Sequence, residues 1–95
     1  MGDVRHVIWS SRVAKQLVKL PQRIQRKFQA WVKYVAEIGL HEARKGPGFH
    51  DEPPSGNRKG QRSIRLNQAY RAIYVELLNG KVEMIEVIEV NKHGY

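Results

Sequence analysis

Two runs rich in Tyr, Ile and Val, Tyr70 to Leu78 and Val82 to Val90, are separated by Asn79-Gly80, and no other feature restricts the fold so strongly. Asn-Gly between such runs favours a two-residue type I′ hairpin turn, because both central residues of that turn need positive φ. With a two-residue turn, Leu78 pairs with Lys81, Val75 with Met84, Ile73 with Glu86 and Arg71 with Ile88. One face of the hairpin then carries Arg71, Ile73, Val75, Leu77, Val82, Met84, Glu86, Ile88 and Val90. It is apolar except for Arg71 and Glu86, which lie diagonal to one another within reach of an ion pair. The other face holds Tyr70, Ala72, Tyr74, Ile85 and Val87. Because the last run is apolar on both faces, it is expected to be a central strand.

Ser63 to Leu66 reads as a shorter strand, turned into the hairpin at Asn67 to Ala69. At the other end, Val4 to Trp9 reads as a strand, and Ser10 or Ser11 can cap a helix bearing Val13, Ala14, Leu17 and Val18 at helical spacing. Pro21 ends that helix, disfavouring the helical conformation at Leu20, and fits the first turn of a second one. There Ile24, Phe28, Trp31, Val35 and Ile38 step by 4, 3, 4 and 3 residues, which puts all five on one stripe before Gly39 closes the helix. Core packing against a sheet explains this stripe without any cofactor. Between Gly39 and Gly60 the chain is rich in Gly, Pro and charge. This predicts a long loop, with at most a helical turn at His41 to Arg44, of the kind that usually serves function.

Ninety-five residues suffice for a single domain, 1–95, with one modest core. With no cysteine there is neither a disulfide frame nor a thiolate metal site. No apolar run is long enough for a secretory signal or a membrane span, so a cytoplasmic protein without membrane contact is expected. The net charge is +8 and unevenly spread. Arg12 to Lys33 holds seven basic residues and no acid, and Arg44 to Arg71 seven more against Asp51 and Glu52, whereas the chain from Glu76 onward is net acidic. An unbalanced basic surface repels itself and suits a polyanion, so nucleic acid is the first partner to consider.

Three clusters remain once the core is assigned: the loop acids Asp51 and Glu52, the strand cations Arg62, Arg65 and Arg71, and the terminal Lys92-His93-Gly94-Tyr95. RNA cleavage without a metal needs a base for the 2′-OH, cations for the charge building on phosphorus, and an acid for the departing 5′ oxygen. Glu52, Arg65 with Arg71, and His93 are one residue set able to fill those roles. Asp51, next to Glu52, is expected to stand in partly for it. His50 with Asp51 lacks a third ligand at suitable spacing, so neither a metal nor another cofactor is expected.

The order of strand, two helices, long loop and three strands, with the segment EPPSGNRKGQRSIRLNQAYRAIY and the ending EVNKHGY, resembles the RelE toxin superfamily of bacterial toxin-antitoxin systems. In its YoeB branch a Glu stands nineteen residues before an Arg, with Gly-Asn and another Arg between them, as Glu52, Gly56-Asn57, Arg65 and Arg71 stand here. The resemblance covers nearly the whole chain. It implies an α+β fold, a small twisted antiparallel sheet of about four strands with two N-terminal helices packed on it. It also implies a ribosome-dependent endoribonuclease that cuts mRNA without a metal, leaves a 2′,3′-cyclic or 3′ phosphate and a 5′ hydroxyl, and is neutralised by a cognate antitoxin.

Carried over residue by residue, the resemblance makes Glu52 the base, Arg65 and Arg71 the phosphate-stabilising cations and His93 the acid, with Tyr95 stacking on or orienting the substrate. Gly94 separates His93 from Tyr95, which the YoeB branch has adjacent. Arg58, Lys59, Arg62 and Lys92 are expected to position RNA phosphates. Structural roles compete: Arg71 can pair with Glu86, and Glu52 can cap its loop. Two other functions stay open, a ParE-type gyrase poison and a basic RNA-binding module without catalysis.

Overall fold

The computed structural model describes residues 3–54, 56 and 58–89. In chain order it contains β1 (His6–Trp9), α1 (Ser11–Val18), α2 (Gln22–Ile38), α3 (Leu40–Lys45), β2 (Gln61–Arg65), β3 (Tyr70–Glu76) and β4 (Lys81–Glu89). The four strands form one sheet in the order β1-β4-β3-β2. Neighbouring pairs among β2, β3 and β4 are antiparallel, while β1 lies parallel to β4 with His6 beside Lys81. The sheet is therefore mixed, because a first strand that returns through two helices has room to reach the far edge in the parallel sense.

Local sequence fixes the helix ends. Ser10 caps α1, its hydroxyl accepting from the Val13 amide at 3.3 Å. Pro21 is the N-cap of α2, and Gly39 ends that helix at a φ of 89°. A side chain at Gly39 would run into the Asp3 carboxylate, which accepts a hydrogen bond from the His41 amide at 3.1 Å. Ile24, Phe28, Trp31 and Val35 are buried, but Ile38 is half out of the core and Leu40 of α3 fills in below it. Trp31 lies with its ring centroid 5.2 Å from that of Tyr74, and Trp9 meets Phe28 edge-on at 5.1 Å.

The hairpin departs from the expected one in two places that offset each other. Its loop has three residues, since the Leu77 amide bonds to the Lys81 carbonyl at 2.8 Å and Gly80 takes a φ of 82°. A three-residue loop with glycine in the left-handed position is the other common use of Asn-Gly. The register shifts again between Ile73 and Tyr74, where Ile85 is the extra residue of a β-bulge on β4. Arg71 thus faces Ile88 and Ile73 faces Glu86, as expected, whereas Met84 pairs with Tyr74 instead of Val75.

The bulge reassigns the faces. Val82 and Met84 join Ile64, Ala72 and Tyr74 in the core beneath the helices. Ser63, Arg65, Arg71, Ile73, Glu86 and Ile88, related by register and by two-residue steps, occupy the opposite face. Ile73 and Ser63 are buried there too, outside the core cluster formed under the described helices.

Candidate active site on the uncovered sheet face

Glu52 belongs to the long segment between α3 and β2, yet it is held like a strand residue. Its amide donates to the Ser63 carbonyl at 3.1 Å, and its own carbonyl accepts from the Ser63 amide at 2.8 Å and the Ser63 hydroxyl at 3.2 Å. This antiparallel bridge extends the sheet past β2 and puts the Glu52 side chain on the Ser63 face. One row across that face therefore reads Glu52, Ser63, Ile73, Glu86, and the next reads Arg65, Arg71, Ile88. Three of the five residues named as catalytic from sequence are brought together. The other two, His93 and Tyr95, lie outside the described residues, as does Lys92.

The two arginines are half-buried, and among the described residues Arg65 Nε and Arg71 Nη1 are buried without a hydrogen-bond partner. Buried guanidinium N–H groups normally find acceptors, so leaving them open is costly. Glu86 does not serve Arg71. Its carboxylate pairs with Arg58 Nη1 at 3.0 Å, and Arg58 also donates to Gln61 Oε1 at 3.1 Å. To reach Glu86 on β4 from in front of β2, Arg58 crosses β3 over the row that holds Ile73.

Asp51 is separated from Glu52 by the sheet itself. Its side chain, only 2% exposed, accepts from Arg62 Nε at 2.5 Å and from the Tyr74 hydroxyl. Arg44 Nε donates to the same hydroxyl at 3.1 Å, and Arg44 Nη2 pairs with Glu76 at 3.2 Å. Burial, with the Asp51 hydrogen bond added to it, raises the Tyr74 pKa. Arg44 is raised as well: burial opposes its charge, but the Tyr74 hydrogen bond and the nearby Asp51 and Glu76 outweigh that. The Asp51 carboxylate is thus engaged with Arg62 and Tyr74 on the helix side of β2, away from the Glu52 side chain. Sequence reading gave no sign of Tyr74 as its partner, since 23 residues separate Asp51 from Tyr74.

Of the expected phosphate-positioning residues, Arg58, Lys59 and Arg62 line a shallow groove with Pro53 and Pro54, at the end of β2 next to Glu52. A second basic hollow lies at the start of α2, between Arg23, Arg26, Lys27 and Asn67. No helix among the described residues is long and apolar enough to cross a membrane.

No protein-family model matches the sequence, and no curated protein matches it. Solved structures do match. The chain is similar to the RelE–RelB complex from Pyrococcus horikoshii, with a TM-score of 0.70 at 18% identity over 94% of this chain and 98% of that one. It is also similar to the YoeB–YefM complex from Staphylococcus aureus (TM-score 0.65, 17% identity, 87% and 93% covered). A YoeB/ParE toxin from Agrobacterium tumefaciens gives 0.65 at 16% identity, with 88% and 96% covered. At such identities the likeness is one of architecture, and it spans both partners of each comparison almost fully. The fold of this chain is that of the RelE and YoeB toxins.

Proposed function

We propose that the chain is the toxin of a toxin-antitoxin pair and acts as a metal-independent endoribonuclease on mRNA in the ribosome. The observation that carries this reading is the grouping of Glu52, Arg65 and Arg71 on one sheet face, with the two arginines side by side as register partners. A half-exposed pair of adjacent guanidinium groups suits the two non-bridging oxygens of a phosphodiester, which such groups bind in a fork geometry. The exposed Glu52 side chain stands one row away.

In the proposed reaction Glu52 takes the proton of a ribose 2′-OH as the 2′ oxygen bonds to the adjacent phosphorus. Arg65 and Arg71 stabilise the charge that gathers on the phosphoryl oxygens. The bond from phosphorus to the 5′ oxygen breaks, and His93 supplies the proton to that oxygen, leaving a 2′,3′-cyclic phosphate and a 5′ hydroxyl. Tyr95 stacks on the substrate. Arg58, Lys59 and Lys92 hold the flanking backbone, whereas Arg62, expected from sequence to do the same, is held by Asp51 on the other side of β2, and no cofactor takes part. The partner that silences the reaction is an antitoxin, as in the RelE–RelB and YoeB–YefM complexes that share the fold.

The test is cleavage of a defined mRNA by the purified chain, with and without programmed ribosomes, followed by mapping of the new ends. Ribosome-dependent cuts with 5′ hydroxyl ends that persist in EDTA, with polyamine keeping the ribosomes intact, are expected. Folded protein that cuts nothing would overturn the reading. Expression of the chain alone should arrest bacterial growth, and the product of an adjacent small gene should relieve the arrest.

A further inference from the structure

The segment that carries Glu52 lacks any regular element of its own, and its conformation is set from outside. Phe49 begins it: its carbonyl accepts from the Arg65 amide at 2.7 Å, and its ring stacks on Tyr34 with centroids 6.1 Å apart, under Lys27 Nζ at 4.4 Å. His50 follows with a φ of 48°, in the left-handed region that a non-glycine residue enters at a cost. That turn changes which side the next residues present. Asp51 then points to the helix side, where Arg62 and Tyr74 fix its buried carboxylate, and Glu52 points to the opposite side from a backbone bridged to Ser63.

Arg62 and Ser63 are consecutive on β2, as Asp51 and Glu52 are consecutive in the segment. Two adjacent residues of the loop are thus each held by one of two adjacent residues of the strand, on opposite faces. The Glu52 bridge fixes the position of its backbone, and the Asp51 clamp fixes the rotation of the segment about its own axis. A rotation that freed Asp51 would swing Glu52 off the face that carries Arg65 and Arg71. Tyr74 ties the clamp to the third strand of the site, since it is two residues beyond Ala72 and three beyond Arg71 on β3.

We propose that Asp51, clamped by Arg62 and the Tyr74 hydroxyl, is a positioning residue that aims the Glu52 carboxylate at the phosphodiester held by Arg65 and Arg71. It acts through the backbone and touches no substrate. The proposal rests on the reading of Glu52 as the general base.

The experiment measures cleavage of ribosome-bound mRNA by the full chain carrying Asp51→Asn, Glu52→Gln or both, and by Tyr74→Phe, with thermal melting to confirm folding. Asp51→Asn keeps the shape but weakens the clamp, and Tyr74→Phe removes one hydrogen bond while keeping the buried ring. Both are expected to lower kcat, Asp51→Asn by about 10- to 100-fold because a displacement near 1 Å suffices for that, with KM unchanged. The double variant should be no slower than Glu52→Gln alone, because Asp51 works only through Glu52. A merely structural Asp51 would instead slow the Glu52→Gln background by its own full factor, which overturns the proposal. So does wild-type kcat in Tyr74→Phe, which decides the matter if Asp51→Asn fails to fold. Wild-type cleavage by Glu52→Gln overturns the base assignment and the proposal with it, whereas an inactive Glu52→Gln beside a fully active Asp51→Asn overturns the proposal alone.

Discussion

Arg65 and Arg71 face one another across β2 and β3 as register partners, so two like charges stand side by side on one sheet face. Direct cross-strand pairs of like charge are unfavourable, and these two also hold N–H groups that no described residue accepts from. Replacing either arginine by Met should therefore leave the fold as stable as before or stabilise it by up to about 1 kcal/mol. The same change should lower cleavage by about 10²- to 10³-fold if these groups carry the phosphoryl charge. Urea denaturation and a cleavage assay on the same two variants check both halves. Loss of stability in both variants would assign the arginines to the scaffold.

Glu52→Gln should lower cleavage by about 10²- to 10⁴-fold at unchanged stability, because the side chain is exposed and its backbone bonds to Ser63 survive the change. Asp51 cannot rescue it from the other face of the sheet. A double variant that also carries Asp51→Asn should keep whatever residual activity Glu52→Gln retains.

Stability should fall on the alkaline side in a way that traces to Tyr74. Its pKa is raised above the ordinary 10.0, so the folded state binds the phenolic proton more tightly than the unfolded chain does. That contribution is complete below the unfolded value and drains away as pH rises through the folded one. Between about pH 9 and about pH 11 the urea midpoint of the wild type should drop more steeply than that of Tyr74→Phe. Parallel slopes for the two proteins would contradict a protonated, buried Tyr74.

The hairpin loop supplies a test of its geometry. Gly80→Ala should cost about 1–2 kcal/mol, the penalty for a Cβ in the left-handed region, and Gly80→Asn less, since asparagine tolerates that region. Equal costs for the two, measured by denaturant unfolding, would argue against a left-handed Gly80.

Much of this architecture is legible in the residues. Ser10, Pro21 and Gly39 mark helix ends by their own chemistry, and the stripe from Ile24 to Val35 announces its buried side. The central position of β4 follows from its apolar content on both faces. What escapes is whatever depends on a single-residue offset. Asn79-Gly80 serves two-residue and three-residue loops alike, and Ile85 carries no mark that makes it the bulge. Those two offsets cancel at Ile73 and Glu86, yet between them they turn Val82 and Met84 to the other side. The parallel placement of β1 is likewise set by packing, with no local signal in His6 to Trp9.

The candidate site divides along the same line. Glu52, Arg65 and Arg71 were reachable from residue types together with the resemblance to the YoeB branch, and register then places them on one face. Pairing partners were not: Glu86 sits diagonal to Arg71 in sequence register but is taken by Arg58, whose loop position gave no hint of the contact. Asp51 and Glu52 look interchangeable as neighbouring acids. Only their alternation about β2 gives one a buried clamp and the other an open carboxylate.

The pairing of β1 with β4 also sets when the molecule can exist as a folded object. His6 meets Lys81, so β1 waits for the last described strand before it has any described strand neighbour, and β3 waits for β4 on its other side. A nascent chain made only as far as β3 holds a lone strand, three helices and the β2–β3 pair, without the strand that joins them. Synthesis and maturation are thereby separated in time: the growing polypeptide cannot assemble the Arg65 and Arg71 face in its finished form until β4, the last described strand, has been made.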